Sequence, residues 1–290
     1  NDKLQPMVDE LLNSGVAKHS EGAVVVPFDA ADGKGLDDTP MLIRKKDGAA
    51  LYATTDLATV RYRIDEWKPS HVLYVTDTRQ QLHFKQLFAC CKKLGWSDSN
   101  LVHVWFGLLS LPGGAMSTRK GNVINLKDLL DEAVRRSRAV VDEKNPDLPE
   151  ELRADIAEAV GVAAVRYADL SQNPQSNVVF DWDKMLALDG NTAPYLMYTY
   201  ARCRSLQTKG DILEPEVGEH PLSSKVEREL AMQLMRFPEA LNGVLGSYRP
   251  NLLCDYLFSL ATLFNRFYYE SPVLKAEEQE REARLALVES

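Results

Sequence analysis

One loop concentrates the residue types that handle phosphate. Leu111-Pro112-Gly113-Gly114-Ala115-Met116-Ser117-Thr118-Arg119-Lys120-Gly121 combines three glycines, two adjacent cations and two hydroxyls. It lies between a strand-like run and the helical stretch that opens at Leu126. Such a loop can close over a polyphosphate, with Ser117, Arg119 and Lys120 meeting the charge that grows on a leaving pyrophosphate. A solvated surface loop accounts for the composition equally well, because short Gly/Lys loops are common.

A second pair suggests recognition of a cation. Tyr52 and Asp56 stand four apart at a strand-to-helix junction, so both face one pocket if Tyr52 begins the helical turn. A carboxylate takes a guanidinium in a bidentate fork, and a tyrosine orients the planar cation by its ring face or hydroxyl. An ordinary helix start, with a dipole-favoured Asp and a half-buried Tyr, is the plain alternative. Gln80 falls just past a strand, where a solvated helix residue would also sit. His83 and His103 each lie in an amphipathic element, which suits hydrogen-bonded packing residues. Further along, Tyr195, Tyr198, Tyr200, Arg202 and Arg204 form an aromatic and basic cluster. Stacking on unpaired bases and Arg contact with phosphate are common means of binding RNA. Pro194 suits a first helical turn, which puts Tyr195 and Tyr198 on one face. Bundle core for the tyrosines and a solvated face for the arginines explain the cluster as well.

The elements that must position these residues follow from hydrophobic period. Ala23 to Phe28 and Met41 to Arg44 read as strands, with a hairpin turn at Lys46-Asp47-Gly48 and Ala50 to Ala53 pairing back or opening the next strand. Leu57, Val60, Ile64 and Trp67 keep helical spacing, Val72 to Thr76 is a β-rich run, and Leu82 to Leu94 is helical up to Gly95. Val102 to Leu109 is strand-like and Leu126 to Val141 is helical. This alternation predicts βαβ units on a parallel sheet, with ligands beyond the carboxyl ends of its strands. Asn145-Pro146-Asp147-Leu148-Pro149 breaks the pattern. Beyond it helical signals dominate over 150–171, 184–208, 222–246, 251–270 and 275–288, so an all-helical bundle is expected. The fold class is therefore α/β followed by all-α, with domains at 1–145 and 146–290.

Charge sharpens this division. The chain carries −8 overall, yet residues 41–140 hold sixteen Lys or Arg against nine Asp or Glu. Residues 141–290 hold fifteen against twenty-five. The basic segment is where phosphate binding is expected. The four cysteines form no CxxC pair, which suits reduced thiols in a cytoplasmic protein and argues against zinc. No metal-ligand pattern is visible, and no apolar stretch is long enough to span a bilayer. The absence of an initiator Met at Asn1 and the stop just after a helical stretch suggest a processed or shortened product.

Four ordered segments resemble the arginyl-tRNA synthetases of class I. Met116-Ser117-Thr118-Arg119-Lys120-Gly121 is similar to that family's version of the "KMSKS" loop. Leu51-Tyr52-Ala53-Thr54-Thr55-Asp56-Leu57-Ala58 resembles its arginine-binding segment, and Tyr74 through Phe84 a third family segment. Asn191-Thr192-Ala193-Pro194-Tyr195-Leu196-Met197-Tyr198 through Arg202 and Arg204 resembles the start of its helical anticodon-binding domain. The resemblance implies ligation of L-arginine to tRNA(Arg) through arginyl-adenylate, on the second part of a Rossmann-like catalytic domain and a helical bundle. It implies arginine binding by Tyr52, Asp56 and Gln80. It implies ATP binding by His103, Gly107, Met116, Ser117 and Lys120, catalysis by Ser117, Arg119 and Lys120, and tRNA binding by Asn191, Tyr195, Tyr198 and Arg202. ATP with Mg2+, a monomer, no membrane and a cytoplasmic location complete the expectation. Two departures stand out. The family's "HIGH" motif and the half of the catalytic domain that carries it are absent, so the chain alone is expected to be inactive, and a non-catalytic tRNA-binding fragment or paralogue is the alternative. Ala115 also stands where many relatives carry Lys, and the helical domain is expected to end early.

Overall fold

The apolar residues of the first strands sit on alternate positions, and their burial follows. Val24, Val26, Met41 and Ile43 are buried in a computed structural model that describes residues 2–37, 39–111, 114, 115, 125–210 and 221–290. The chain forms two compact units, Asn1–Leu108 and Leu109–Ser290.

In the first unit, helix α1 (Leu4–Asn13) precedes an antiparallel sheet of β1 (Lys18–Ser20), β2 (Ala23–Val26) and β3 (Met41–Arg44). The turn after β3 forms where Asp47-Gly48 predicts it. Gly48 takes φ +83°, a region costly for other residues, and its N–H donates to Lys45 O. Ala50 pairs back to Arg44 as a single bridge. Helix α2 then runs Tyr52–Tyr62 and continues as a π-helical turn, Arg63–Trp67, closed by Lys68 in the left-handed region. Strand β4 (His71–Asp77) pairs in parallel with β5 (Asn100–Phe106) across helix α3 (Gln81–Lys93), the expected βαβ unit. The parallel pairing in this unit is confined to these two strands among the described residues, while the earlier strands are antiparallel. Leu11, Ile43, Leu57 and Leu87, all fully buried, tie α1, β3, α2 and α3 into one core.

The second unit opens with β6 (Leu109–Leu111) and β7 (Gly114–Ala115). Helices α4 (Leu126–Lys144) and α5 (Glu150–Leu170) follow. The break expected at Asn145–Pro149 is the short turn between them. These helices pack closely: a Cβ on Gly161 would come within 2.7 Å of Val134 N. Strand β8 (Val178–Val179) adds in parallel to β6, so a strand interrupts the region read as helical. Helices α6 (Trp182–Met185), α7 (Ala193–Gly210), α8 (Lys225–Met235), α9 (Phe237–Ser247), α10 (Asn251–Glu270) and α11 (Glu278–Glu289) complete the unit. The single helix expected over 222–246 is two helices, divided at Arg236-Phe237, with Pro238 in the first turn of α9 where a proline is tolerated. Leu206, Leu230, Phe264, Phe267 and Leu285 form the core between α7, α8, α10 and α11.

Candidate functional site

Parallel strands end together. Asp77, the last residue of β4, is in register with Phe106, the last of β5, so the turn Thr78–Gln80 and Gly107 stand at one carboxyl edge. Asp77 caps that turn by accepting from Arg79 N (2.8 Å), and the Arg79 guanidinium grips both of its oxygens. These contacts hold the Asp77 carboxyl down at about 2. Gln80 is exposed at the N-cap of α3.

Asp56 is fixed from two directions. Its helix is seated by Thr54, two residues earlier, whose fully buried hydroxyl donates to Ile43 O on β3. Its carboxylate meets α3 directly: Asp56 Oδ2 lies 2.6 Å from His83 Nε2. His83 stands three residues beyond Gln80, so this bond ties the Gln80 end of α3 to the Asp56 face of α2. Tyr52 does begin α2, as the spacing required, but its side chain is 86% exposed and forms no hydrogen bond or ring contact with Asp56 or Gln80. His103 is stacked on Phe84 (4.4 Å) and lies 2.8 Å from Thr76 Oγ1. Burial, then the neighbouring His83, lower its pKa, so it is a neutral packing imidazole at neutral pH. Met116, Ser117, Arg119 and Lys120 lie outside the described residues.

The second unit gathers the aromatic and basic residues of α7 against α10. Arg202 donates to Asn265 Oδ1, and its guanidinium stands over Tyr198 (4.7 Å), Tyr268 (4.5 Å) and Tyr269 (5.4 Å). Asn265 also donates to Tyr195 Oη (3.0 Å) and Thr199 Oγ1 (2.9 Å), which binds Tyr195 into the same network. Tyr198 and Tyr269 keep most of their surface in solvent, at 58% and 74%. Asn265, Tyr268 and Tyr269 escaped sequence reasoning. The adjacent tyrosines close an amphipathic helix, and nothing local says that they return to α7. Asn191 is elsewhere in this unit, accepting from Tyr167 Oη (2.6 Å). It lines a cleft of ≈ 860 Å³ with Leu126, Leu130, Asp169 and Lys184.

Comparison with known proteins decides the family. Residues 1–182 match the catalytic domain of "tRNA synthetases class I (R)", and residues 196–290 match the "DALR anticodon binding domain". The chain belongs to the arginyl-tRNA synthetase family. The "Arginine--tRNA ligase" of Fusobacterium nucleatum subsp. nucleatum is 44% identical over 99% of this chain and 50% of its own length. That of Chloroflexus aurantiacus is 43% identical over 98% and 50%. Among solved structures, the arginyl-tRNA synthetase of Thermus thermophilus superposes with a TM-score of 0.85 at 27% identity, over 99% of this chain and 55% of that one. A methionyl-tRNA synthetase of Mycobacterium tuberculosis, at TM-score 0.59 and 12% identity, shares the fold alone. The chain spans about half the length of the curated synthetases it matches. Its fold is class I catalytic α/β followed by the helical anticodon-binding type, as the sequence predicts.

Proposed function

We propose that this synthetase chain serves the ATP-dependent ligation of L-arginine to tRNA(Arg), with 1–145 working in catalysis and 146–290 in tRNA binding. The observation that carries the reading is Asp56. Its carboxylate stands at the start of α2 with one oxygen held by His83 and Oδ1 without a protein partner among the described residues. A guanidinium fork needs such an acceptor, fixed in orientation and only partly solvated. Gln80 and the exposed Tyr52 would complete the pocket, the tyrosine turning inward over the bound cation.

In the reaction, an arginine carboxylate oxygen attacks the α-phosphorus of ATP and pyrophosphate leaves with its bonding pair. A terminal ribose hydroxyl of the tRNA then attacks the acyl carbon and releases AMP. Ser117, Arg119 and Lys120 would meet the pyrophosphate, where cations aimed at developing charge act mainly on the transition state. Met116, His103 and Gly107 would border the nucleotide. Magnesium would enter with ATP, held mainly by the phosphates and water with at most one or two carboxylates; among the described residues no group of three His, Cys, Asp or Glu side chains gathers. Tyr198, Tyr195, Arg202 and Asn191 would face the tRNA. No described helix is long and apolar enough to cross a membrane. A cytoplasmic monomer is the working proposal. The test is ATP–pyrophosphate exchange by the full gene product, with tRNA present, across the standard amino acids. Exchange dependent on arginine alone supports the reading, and exchange driven by another amino acid, or by none, overturns it.

A further inference from the structure

His83 is not among the residues proposed to touch substrate, yet among the described residues it makes the one side-chain hydrogen bond to the Asp56 carboxylate. We infer that His83 is the positioning residue for Asp56: its Nε2–H donates to Oδ2 and holds the carboxylate with Oδ1 turned to the incoming guanidinium. This inference rests on the assignment of arginine selection to Asp56.

The arrangement behind His83 is built to hold the imidazole still. Its ring meets Phe84 edge-on, with ring centroids 5.2 Å apart and the planes at 73°, and Phe84 is buried. Phe84 in turn stacks on His103, which is pinned to Thr76 on β4. The line from Thr76 through His103, Phe84 and His83 to Asp56 thus joins the sheet to α2. A carboxylate on a helix surface otherwise rotates about two side-chain bonds. Binding a planar fork requires both to be fixed, and a preformed bond removes that ordering cost from the binding step. Each carboxylate oxygen has two acceptor sites, so the bond to His83 leaves Oδ2 able to accept again beside Oδ1. The imidazole occupies one flank and thereby restricts the guanidinium to the other. A neutral imidazole suffices for this, since Nε2–H is a donor in one of its two tautomers.

The test uses the full gene product with His83→Leu, which keeps bulk but cannot donate, and His83→Gln, whose amide nitrogen can take the place of Nε2. Arginine KM, ATP KM and kcat are read for both, alone and combined with Asp56→Asn. The expected result is an arginine KM raised about tenfold in His83→Leu, ATP KM unchanged, and recovery in His83→Gln, in line with loss of one charge-assisted hydrogen bond. In the Asp56→Asn background His83→Leu should add little, because the group it positions is gone. If Asp56→Asn raises arginine KM and His83→Leu does not, the inference falls and the reading of Asp56 stands. If Asp56→Asn itself leaves arginine KM unchanged, both fall. Equal losses for arginine and ATP, or failure of His83→Gln to recover, mark a packing role and overturn the inference. Should His83→Leu not fold, His83→Asn replaces it. Its amide is too short to reach Asp56, so it should behave as the non-donor, and an arginine KM equal to that of His83→Gln would overturn the inference.

Discussion

A single hydroxyl seats the helix that carries Asp56. Thr54 is fully buried and donates to the Ile43 carbonyl, so Thr54→Val would remove that bond in a closed core. A loss of about 1–3 kcal/mol in unfolding free energy is expected, read by denaturant melts, together with a higher arginine KM as the helix start loosens. In the sequence Thr54 is indistinguishable from its neighbour Thr55, because either hydroxyl could cap or bond within the helix. Only the fold directs one of them onto β3. Asp56 was legible from its spacing to Tyr52 and from the family segment, whereas its bond to His83 joins residues 27 apart and was not. A second buried polar group carries a pH prediction. Glu227, 1% exposed, accepts from Arg284 Nε (2.7 Å) and from Ser224 N (2.9 Å). Burial by itself raises the pKa of this carboxyl, but Ser224 and Arg284 outweigh it and the net shift is downward. Its folded pKa is therefore below its unfolded one, so its contribution is complete above the unfolded value and fades as pH falls through about 4 toward the folded value. Melts between pH 7 and pH 3 should show this acid loss, and Glu227→Gln should be less stable at pH 7 while losing less on acidification. An unchanged pH profile in that variant would remove Glu227 from the account.

At the scale of elements, the α4–α5 pair offers a direct check on packing. The Gly161 Cβ position collides with main-chain atoms of Ala133 and Val134, which cannot move aside as a side-chain tip can. Gly161→Val should therefore destabilise the second unit by about 1–3 kcal/mol, with a lower Tm by calorimetry. An equal Tm would show that the helices are not so close. The βαβ unit and the long helices were legible because each spans enough residues to display its period. Strand β8 was not, because two residues show no period and its partner β6 lies far away in sequence. The break between α8 and α9 was available in Pro238, which ends one helix and suits the first turn of the next. The π-helical turn after α2 has no counterpart in the sequence pattern, since Leu57, Val60 and Ile64 satisfy an unbroken helix.

At the scale of the whole molecule, the balance of −8 coexists with a basic 41–140 segment. Binding to tRNA is expected to rest on few cationic contacts plus stacking. Affinity of the full gene product for tRNA(Arg) should fall with salt as counterions are released, with a slope that counts those few phosphate contacts. Tyr198→Ala should weaken it by about 1–3 kcal/mol at every salt concentration without changing the slope, since stacking involves no counterion. A changed slope with unchanged stacking loss would assign the contact to phosphate instead. The measurement that bears most directly on the central claim is the arginine KM of Asp56→Asn in the full gene product. The carboxylate-to-amide change removes the charge and one of the two acceptors facing a desolvated guanidinium, which costs about 2–5 kcal/mol. A rise in arginine KM of at least about thirtyfold, with ATP KM unchanged, is the expected result. Wild-type arginine KM and kcat in that variant would contradict the assignment of arginine selection to Asp56.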